Sequence, residues 1–366
     1  MNDEFYIEKA VALAKKGTYL VNPGVKVGCV ITKNNKILGE GYYEYFGGPH
    51  AEVNAINSIK NKFGKKYRDI LKGSTLYVTL EPCSKKGKTE ACTKLLKEYD
   101  FEKIIVGSRD PTQKGIEDLK KAGKNLKILK SVNCECLNEN FFFSIKNKRP
   151  FVRAKVAMSK DEKSSFISSK RKWITSLASR KDAQKFRAIS DLVLTGSGTI
   201  KRDRPSLNVR DKKIINLKKF KQPTRGIISS SVEIDSSIPF FNLSGDKIIF
   251  TNSKSSIKKG SALRDVEIKK CKENKGKIDL KDVLKKAFEF GSRTLLLEAG
   301  PTLVGAFGDL NLIDEYVFYI SSEKLGKKGL HFYKGEAKYS LFDSNLFEIV
   351  SKAKIGNDLK VIARRK

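Results

Sequence analysis

The 366-residue chain holds only two histidines, one tryptophan and two methionines, and it is short of acid: 41 Asp and Glu stand against 74 Lys and Arg. With His50 and His331 alone, any centre built on several imidazoles is excluded. Six cysteines at irregular spacing give no compact disulfide framework, which leaves metal-bound or free thiols in a reducing compartment. No apolar run approaches the roughly 20 residues of a membrane helix, and the start, Met-Asn-Asp-Glu-Phe-Tyr, lacks the basic-then-apolar order of a secretory leader. These absences predict a cytoplasmic protein with no membrane partner. The formal charge of +33 favours anionic partners, either phosphorylated metabolites or nucleic acid. Yet the lysines are scattered, as in Lys258-Lys259, Lys269-Lys270 and Lys327-Lys328, and read more readily as solvated faces or a compositional bias.

The length suits two domains of about 150 residues or more each. Asn2 or Asp3 can cap a first helix ending near Gly17. Gly28 to Thr32 and Lys36 to Tyr43 read as a hairpin around Asn34-Asn35, and Phe46-Gly-Gly-Pro is a breaker before the next helix. Thr75 to Leu80 and Lys103 to Gly107 are β-type runs, with helices over Thr93–Tyr99 and Gly115–Ala122. Alternating strands and helices predict a three-layer α/β domain. The pattern changes at the polar run Lys146-Asn-Lys-Arg-Pro150, which places domains at 1–146 and 147–366. In the second, strands are expected at Phe151–Met158, Leu192–Thr195, Arg225–Ser229, Lys247–Phe250, Arg293–Leu297 and Glu315–Ile320, again with helices between.

The densest chemistry lies between Gly48 and Cys92. A histidine, a glutamate two residues on, and two downstream cysteines, the first preceded by proline, form the pattern by which zinc-dependent base deaminases hold metal and general acid/base. His50, Cys83 and Cys92 are read as zinc ligands and Glu52 as the proton shuttle. One imidazole and two thiolates leave a tetrahedral zinc one position for water. Cys134 and Cys136 have no nearby partner pair and read as free thiols. The spacer Ser84–Ala91 is a basic loop that could hold a substrate phosphate.

Pro49-His-Ala-Glu-Val53, Thr79-Leu-Glu-Pro-Cys-Ser-x-x-Gly-Lys-Thr-x-x-Cys92, Trp173-Ile-Thr-Ser, Asp203-x-Pro205, Gln222-Pro-x-Arg225 and Glu298-Ala-Gly-Pro-Thr-Leu-x-Gly-Ala-Phe307 occur in one order along the chain. In this the sequence resembles the bifunctional riboflavin-biosynthesis deaminase/reductase family. The resemblance implies a cytidine-deaminase-like domain followed by a dihydrofolate-reductase-like α/β domain, with zinc (Zn2+) and NADPH as cofactors and a phosphorylated pyrimidine as substrate. It implies cofactor contacts at Ala157, Trp173, Thr199, Asp203, Ser230, Gly300, Pro301, Thr302, Leu303, Val304, Gly305 and Ala306. Substrate contacts would be Arg171, Arg187, Leu207, Arg210 and Glu298. Against the family pattern, Gly24 replaces an asparagine, Lys85 a histidine, Glu90-Ala91 paired prolines, Glu162 a glycine and Arg204 an aspartate.

Read from its own residues, the second half is less specific. Thr195-Gly-Ser-Gly-Thr199 is a glycine turn after a strand, but Lys201 stands where the dinucleotide fingerprint requires glycine. Gly300-Pro301 after a strand end predicts an anion site at a helix start. Arg187 and Arg210 suit bidentate phosphate contacts. Two other readings stay open: a chain with only one active half, and a nucleic-acid base deaminase suggested by the charge. Oligomeric state is open too, a homo-oligomer included.

Overall fold

The structure, a computed structural model, describes residues 2–166, 173–230, 237–252, 266–336 and 345–366. The expected contact at Arg171 lies outside the described residues. The chain forms two compact units, Met1–Lys146 with Leu217–Phe220, and Asn147–Asn216 with Lys221–Lys366.

The first unit runs α1 (Asp3–Ala14), β1 (Gly28–Lys33), β2 (Lys36–Tyr42), α2 (Ala51–Phe63), α3 (Tyr67–Leu71), β3 (Thr75–Val78), α4 (Cys92–Lys97), β4 (Lys103–Val106), α5 (Gly115–Lys121), β5 (Leu126–Ile128), α6 (Val132–Leu137) and α7 (Glu139–Asn147). The Asn2 side chain caps α1 by accepting from the Phe5 amide at 3.1 Å. Asn34 and Asn35 take φ of 51° and 58°, the left-handed pair that a tight two-residue hairpin needs. The sheet order is β2-β1-β3-β4-β5; β1 is antiparallel to both neighbours, and β3, β4 and β5 are parallel. Alternate residues feed two cores. Cys29, Ile31, Leu76 and Val78 pack with Ala55, Ile59, Leu96 and Ile116 of the helices on one face. Val30, Tyr77 and Ile105 pack with Tyr6, Ala10 and Cys134 on the other, completing three layers. The segment read as a polar boundary is helical as far as Asn147, because Phe141, Phe142 and Phe143 follow Asn138, whose carbonyl accepts from the Phe141 and Phe142 amides.

The second unit contains β6 (Phe151–Met158), β7 (Lys163–Phe166), α8 (Leu177–Ala188), β8 (Leu192–Gly196), α9 (Ser197–Asp203), α10 (Lys212–Ile215), β9 (Thr224–Ile228), α11 (Pro239–Asn242), β10 (Lys247–Asn252) and β11 (Val266–Cys271). It continues with β12 (Glu273–Asn274), β13 (Lys277–Ile278), α12 (Leu280–Glu289), β14 (Thr294–Leu297), α13 (Pro301–Asp309), β15 (Glu315–Ile320), β16 (Gly329–His331), β17 (Phe347–Ile355) and β18 (Asp358–Arg365). Among the described residues, nine strands form one sheet in the order β11-β10-β9-β8-β14-β6-β15-β18-β17, parallel as far as β15 and closed by the antiparallel β17–β18 hairpin. Leu295 and Leu297 of β14 point into one core and Leu296 into another, so both faces are covered. The expected glycine turn after β8 is instead a strand end running into a helix: Gly196 occupies the N-cap of α9.

Asp191, just before β8, ties two strand starts: its carboxylate accepts the amides of Arg293 at 2.8 Å and Thr294 at 2.9 Å. Burial pushes its carboxyl up to about 6, against those two bonds. A carboxyl whose folded pKa is raised contributes stability below its unfolded value near 4, and that contribution is lost as pH rises through about 6. Asp191→Asn keeps an oxygen for both amides without the charge. The variant is expected to lose less stability than the parent between pH 4 and 7, measured by urea unfolding at each pH.

Candidate functional site

His50 is the N-cap of α2, and its imidazole makes no capping bond, which frees the ring to face the thiols. Its Nδ1 lies 3.5 Å from Cys83 Sγ and 3.3 Å from Cys92 Sγ. The ligand atoms of His50, Cys83 and Cys92 all fall within 4.8 Å of one another. Asn54 fixes the entry to α2 by donating to the carbonyls of Tyr42 (2.8 Å) and Pro49 (3.2 Å). Cys83 follows β3, and Cys92 opens α4, with its amide donating to Cys83 Sγ at 3.2 Å. The Cys92 thiol, the His50 ring and that amide pull the Cys83 thiol down to about 4 against burial. The Cys83 contact, with burial, pushes the Cys92 thiol well up. A soft, anionic donor set of this count and closeness fits zinc.

Glu52 lies in the first turn of α2, 3% exposed, outside the trio but electrostatically coupled to it. Burial pushes its carboxyl above the ordinary range, opposed by its own backbone and by His50. Two residues that sequence patterning did not single out hold this frame. Glu81 is 5% exposed and accepts from the amides of Ile116 (3.0 Å) and Asp110 (3.2 Å), fixing the turn before Cys83. Asn138 pairs with the backbone of Lys26, accepting its amide at 2.9 Å and donating to its carbonyl at 2.8 Å. Of the spacer lysines, Lys86 is ion-paired with Glu90, Lys85 donates to the Thr112 carbonyl at 3.3 Å, and Lys88 lies 4.1 Å over the Phe46 ring.

Gly115 opens α5 where a Cβ would collide with the carbonyl oxygen of Pro82, the residue before Cys83. Gly115→Ala is therefore expected to displace that turn, lowering stability by about 1–3 kcal/mol and zinc content below that of the parent. Thermal unfolding and metal analysis of the purified variant check this.

In the second unit the buried carboxylate of Glu298, at the end of β14, is held by two cations. Arg187 of α8 donates through Nε to Oε1 and through Nη2 to Oε2 at 3.0 Å, and Lys155 of β6 approaches Oε2 at 3.2 Å. Burial pushes the Glu298 carboxyl up, but the charges of Arg187 and Lys155 outweigh it and hold it well below the usual range. Lys155 was not among the sequence candidates; its signal was a charge alternating with apolar residues in Phe151–Met158. Arg187 also donates to the Asn208 carbonyl at 2.8 Å. Burial and the nearby Arg187 charge depress the Arg210 guanidinium.

Gly196 and Gly300 are the N-caps of α9 and α13, neither capped by a side chain. A Cβ on Gly300 would lie 3.8 Å from Thr199 Oγ1, and one on Gly196 would lie 3.3 Å from Leu303, so the two helix starts adjoin. Among the described residues, the buried oxygens Thr195 Oγ1 and Asn208 Oδ1 have no hydrogen-bond partner. Open helix starts with the orphaned buried oxygen of Thr195 next to Gly196 suit a polar, phosphate-bearing cofactor. Within Gly300–Ala306, Val304 belongs to the core and Gly305 is needed for close approach of Lys334, whose carbonyl a Cβ there would strike. Ala157 sits on β6 opposite Tyr319. Trp173 is 51% exposed with Arg180 4.5 Å over its ring, Ser230 is exposed after β9, and Leu207 is buried. Asp203 ends α9 and accepts from Arg202 at 3.0 Å.

Comparison with known proteins separates the two units along the chain. The family of the cytidine and deoxycytidylate deaminase zinc-binding region matches residues 1–108, and that of the RibD C-terminal domain matches residues 150–361. The riboflavin biosynthesis protein RibD of Buchnera aphidicola is 34% identical over 377 residues, covering 99% of this chain and 98% of that protein. The chain belongs to the RibD family. The Escherichia coli RibD is 31% identical over 373 residues, covering 98% of each. The structure of Acinetobacter baumannii RibD superposes with a TM-score of 0.86 at 29% identity, covering 100% of this chain and 99% of that one. A Thermotoga maritima structure, of a diaminohydroxyphosphoribosylaminopyrimidine deaminase/5-amino-6-(5-phosphoribosylamino)uracil reductase, gives a TM-score of 0.81 at 30% identity. As a RibD-family member, the chain is a bifunctional enzyme of riboflavin biosynthesis acting on a phosphorylated pyrimidine, with a zinc-binding deaminase domain and an NADPH-dependent reductase domain. Among the described residues, no helix is long and apolar enough to cross a membrane.

Proposed function

We propose that residues 1–146 hydrolyse the 2-amino group of 2,5-diamino-6-ribosylamino-4(3H)-pyrimidinone 5′-phosphate, and that residues 147–366 reduce the ribosyl group of the product to ribityl with NADPH. The observation that carries this reading is the convergence of His50, Cys83 and Cys92 beside the buried carboxylate of Glu52. Zinc held by those three side chains supplies the Lewis acidity that brings the pKa of water toward about 7. Glu52 would carry the proton between such a water and the departing amine. Its burial supports the role, because desolvation makes the carboxyl hold a proton more readily than an exposed one would.

In the second unit NADPH supplies the hydride, so the protein's task is alignment. The starts of α9 and α13, with Thr199, Gly300 and Thr302, are assigned to the cofactor. Asp203, Ala157, Trp173 and Ser230 complete its proposed contacts. Arg187 is spent on Glu298 and Asn208, which leaves the exposed Arg210 as the phosphate partner and makes Arg187 the residue that orients Glu298. The reading also places the enzyme in the cytoplasm, where its thiols stay reduced. Purified protein given the diamino substrate without NADPH should release ammonia, and adding NADPH should then oxidise the cofactor. No ammonia removes the first assignment; no oxidation on authentic deaminated product removes the second.

A further inference from the structure

Among the described residues, the run Gln222-Pro-Thr-Arg225 makes no hydrogen bond to the metal trio or Glu298, yet Gln222 reaches back 13 residues to the loop at Val209, while Arg225 reaches mainly forward. Gln222 pairs with both backbone groups of Val209: Oε1 accepts the amide at 2.8 Å and Nε2 donates to the carbonyl at 2.9 Å. Arg225 is fully buried and bonds carbonyls, those of Phe240 (2.9 Å), Leu243 (2.7 Å) and Ser244 (2.8 Å), with a longer 3.4 Å contact to Ser206. The same loop is gripped from α8, where Gln184 accepts the Arg210 amide at 2.8 Å and Arg187 donates to the Asn208 carbonyl.

Leu207 in this loop has φ of 55°, a left-handed conformation that a branched side chain rarely adopts. Such a conformation persists only where surroundings over-determine it. Here they are side chains of α8 and of the segment entering β9, since Gln222 supplies the two bonds that a neighbouring strand would otherwise give Val209.

We propose that Gln222 is a positioning residue that holds the loop 206–210 in its substrate-receiving conformation, presenting Leu207 and Arg210 to the phosphorylated ribosylaminouracil before it binds. The proposal rests on the assignment of those two residues to the substrate. A loop ordered in advance spares binding the entropy of ordering it, and this saving is shared equally by ground and transition states. Losing the clamp therefore weakens binding uniformly: KM rises and kcat stays.

The test is Gln222→Met, which keeps the volume and removes both bonds to Val209, in the full-length enzyme. NADPH oxidation is followed over a range of deaminated substrate, with ammonia release from the diamino substrate as an internal control. The expected result is a KM for the deaminated substrate raised at least tenfold, kcat within twofold of the parent, and deamination unchanged. An unchanged KM overturns the proposal, whether or not kcat falls, since a purely structural role would lower only the fraction of folded enzyme. If Gln222→Met fails to fold, Gln184→Met, which frees only the Arg210 amide, gives the same reading with a smaller rise; an unchanged KM there likewise overturns it. A parent enzyme that oxidises no NADPH on the deaminated substrate would remove the underlying assignment rather than the clamp.

Discussion

Glu52→Gln is expected to lower ammonia release by at least about 10²–10⁴-fold, the contribution of a positioned general acid/base. Gln is close to Glu in shape, so the buried pocket at the start of α2 should keep its packing. His50, Cys83 and Cys92 are untouched, so zinc per chain should equal that of the parent. Reduction of separately supplied deaminated product should also be unchanged, because the match to the RibD C-terminal domain lies at residues 150–361, away from Glu52 in the sequence. The three measurements together separate proton transfer from metal loss and from global damage. Deamination within tenfold of the parent would mean that another group carries the proton.

The second large effect is expected at Glu298. Arg187→Met leaves its carboxylate buried with Lys155, among the described residues, as the sole cation within bonding distance. Removing one partner of a buried pair typically costs about 3–5 kcal/mol, because the remaining charge stays desolvated. The expected outcome is a loss of that order in urea unfolding, with NADPH oxidation falling by more than about tenfold, a factor that about 1.4 kcal/mol of lost alignment would produce. The double variant Arg187→Met/Glu298→Gln discriminates further. It replaces the under-compensated carboxylate with a neutral amide but leaves Lys155 without its partner, so part of the stability should return, while reduction should remain impaired because neither the carboxylate nor its orienting guanidinium is restored. Recovery of activity along with stability would show that the pair serves folding alone.

The fold was legible wherever sequence period and burial agree. The helices at Asp3–Ala14, Ala51–Phe63 and Leu280–Glu289 have clear caps or apolar stripes, and the inner strands are continuous apolar runs. The outer hairpin Phe347–Ile355 with Asp358–Arg365 was not read, because the edge strand is solvent-exposed along most of its length and lacks the alternation that betrays a half-buried strand. Tyr67–Leu71 and Leu126–Ile128 are too short for any period to register.

The same division runs through the sites. The metal-binding character of Gly48–Cys92 was legible in the sequence, because zinc demands particular ligand types, here one histidine and two cysteines in a fixed order that the fold brings together. The sequence also determined that the chain has a deaminase half and a reductase half. Only the tertiary structure decided what surrounds those residues: that Glu81 and Gly115 fix the turn before Cys83, that Lys155 joins Arg187 on Glu298, and that Gln222 grips Val209. The physical reason is range. Ligand identity is a property of a residue, whereas the hydrogen bonds and ion pairs that aim it arise between groups as far as 143 positions apart, as with Lys155 and Glu298, which only the fold brings within about 3 Å.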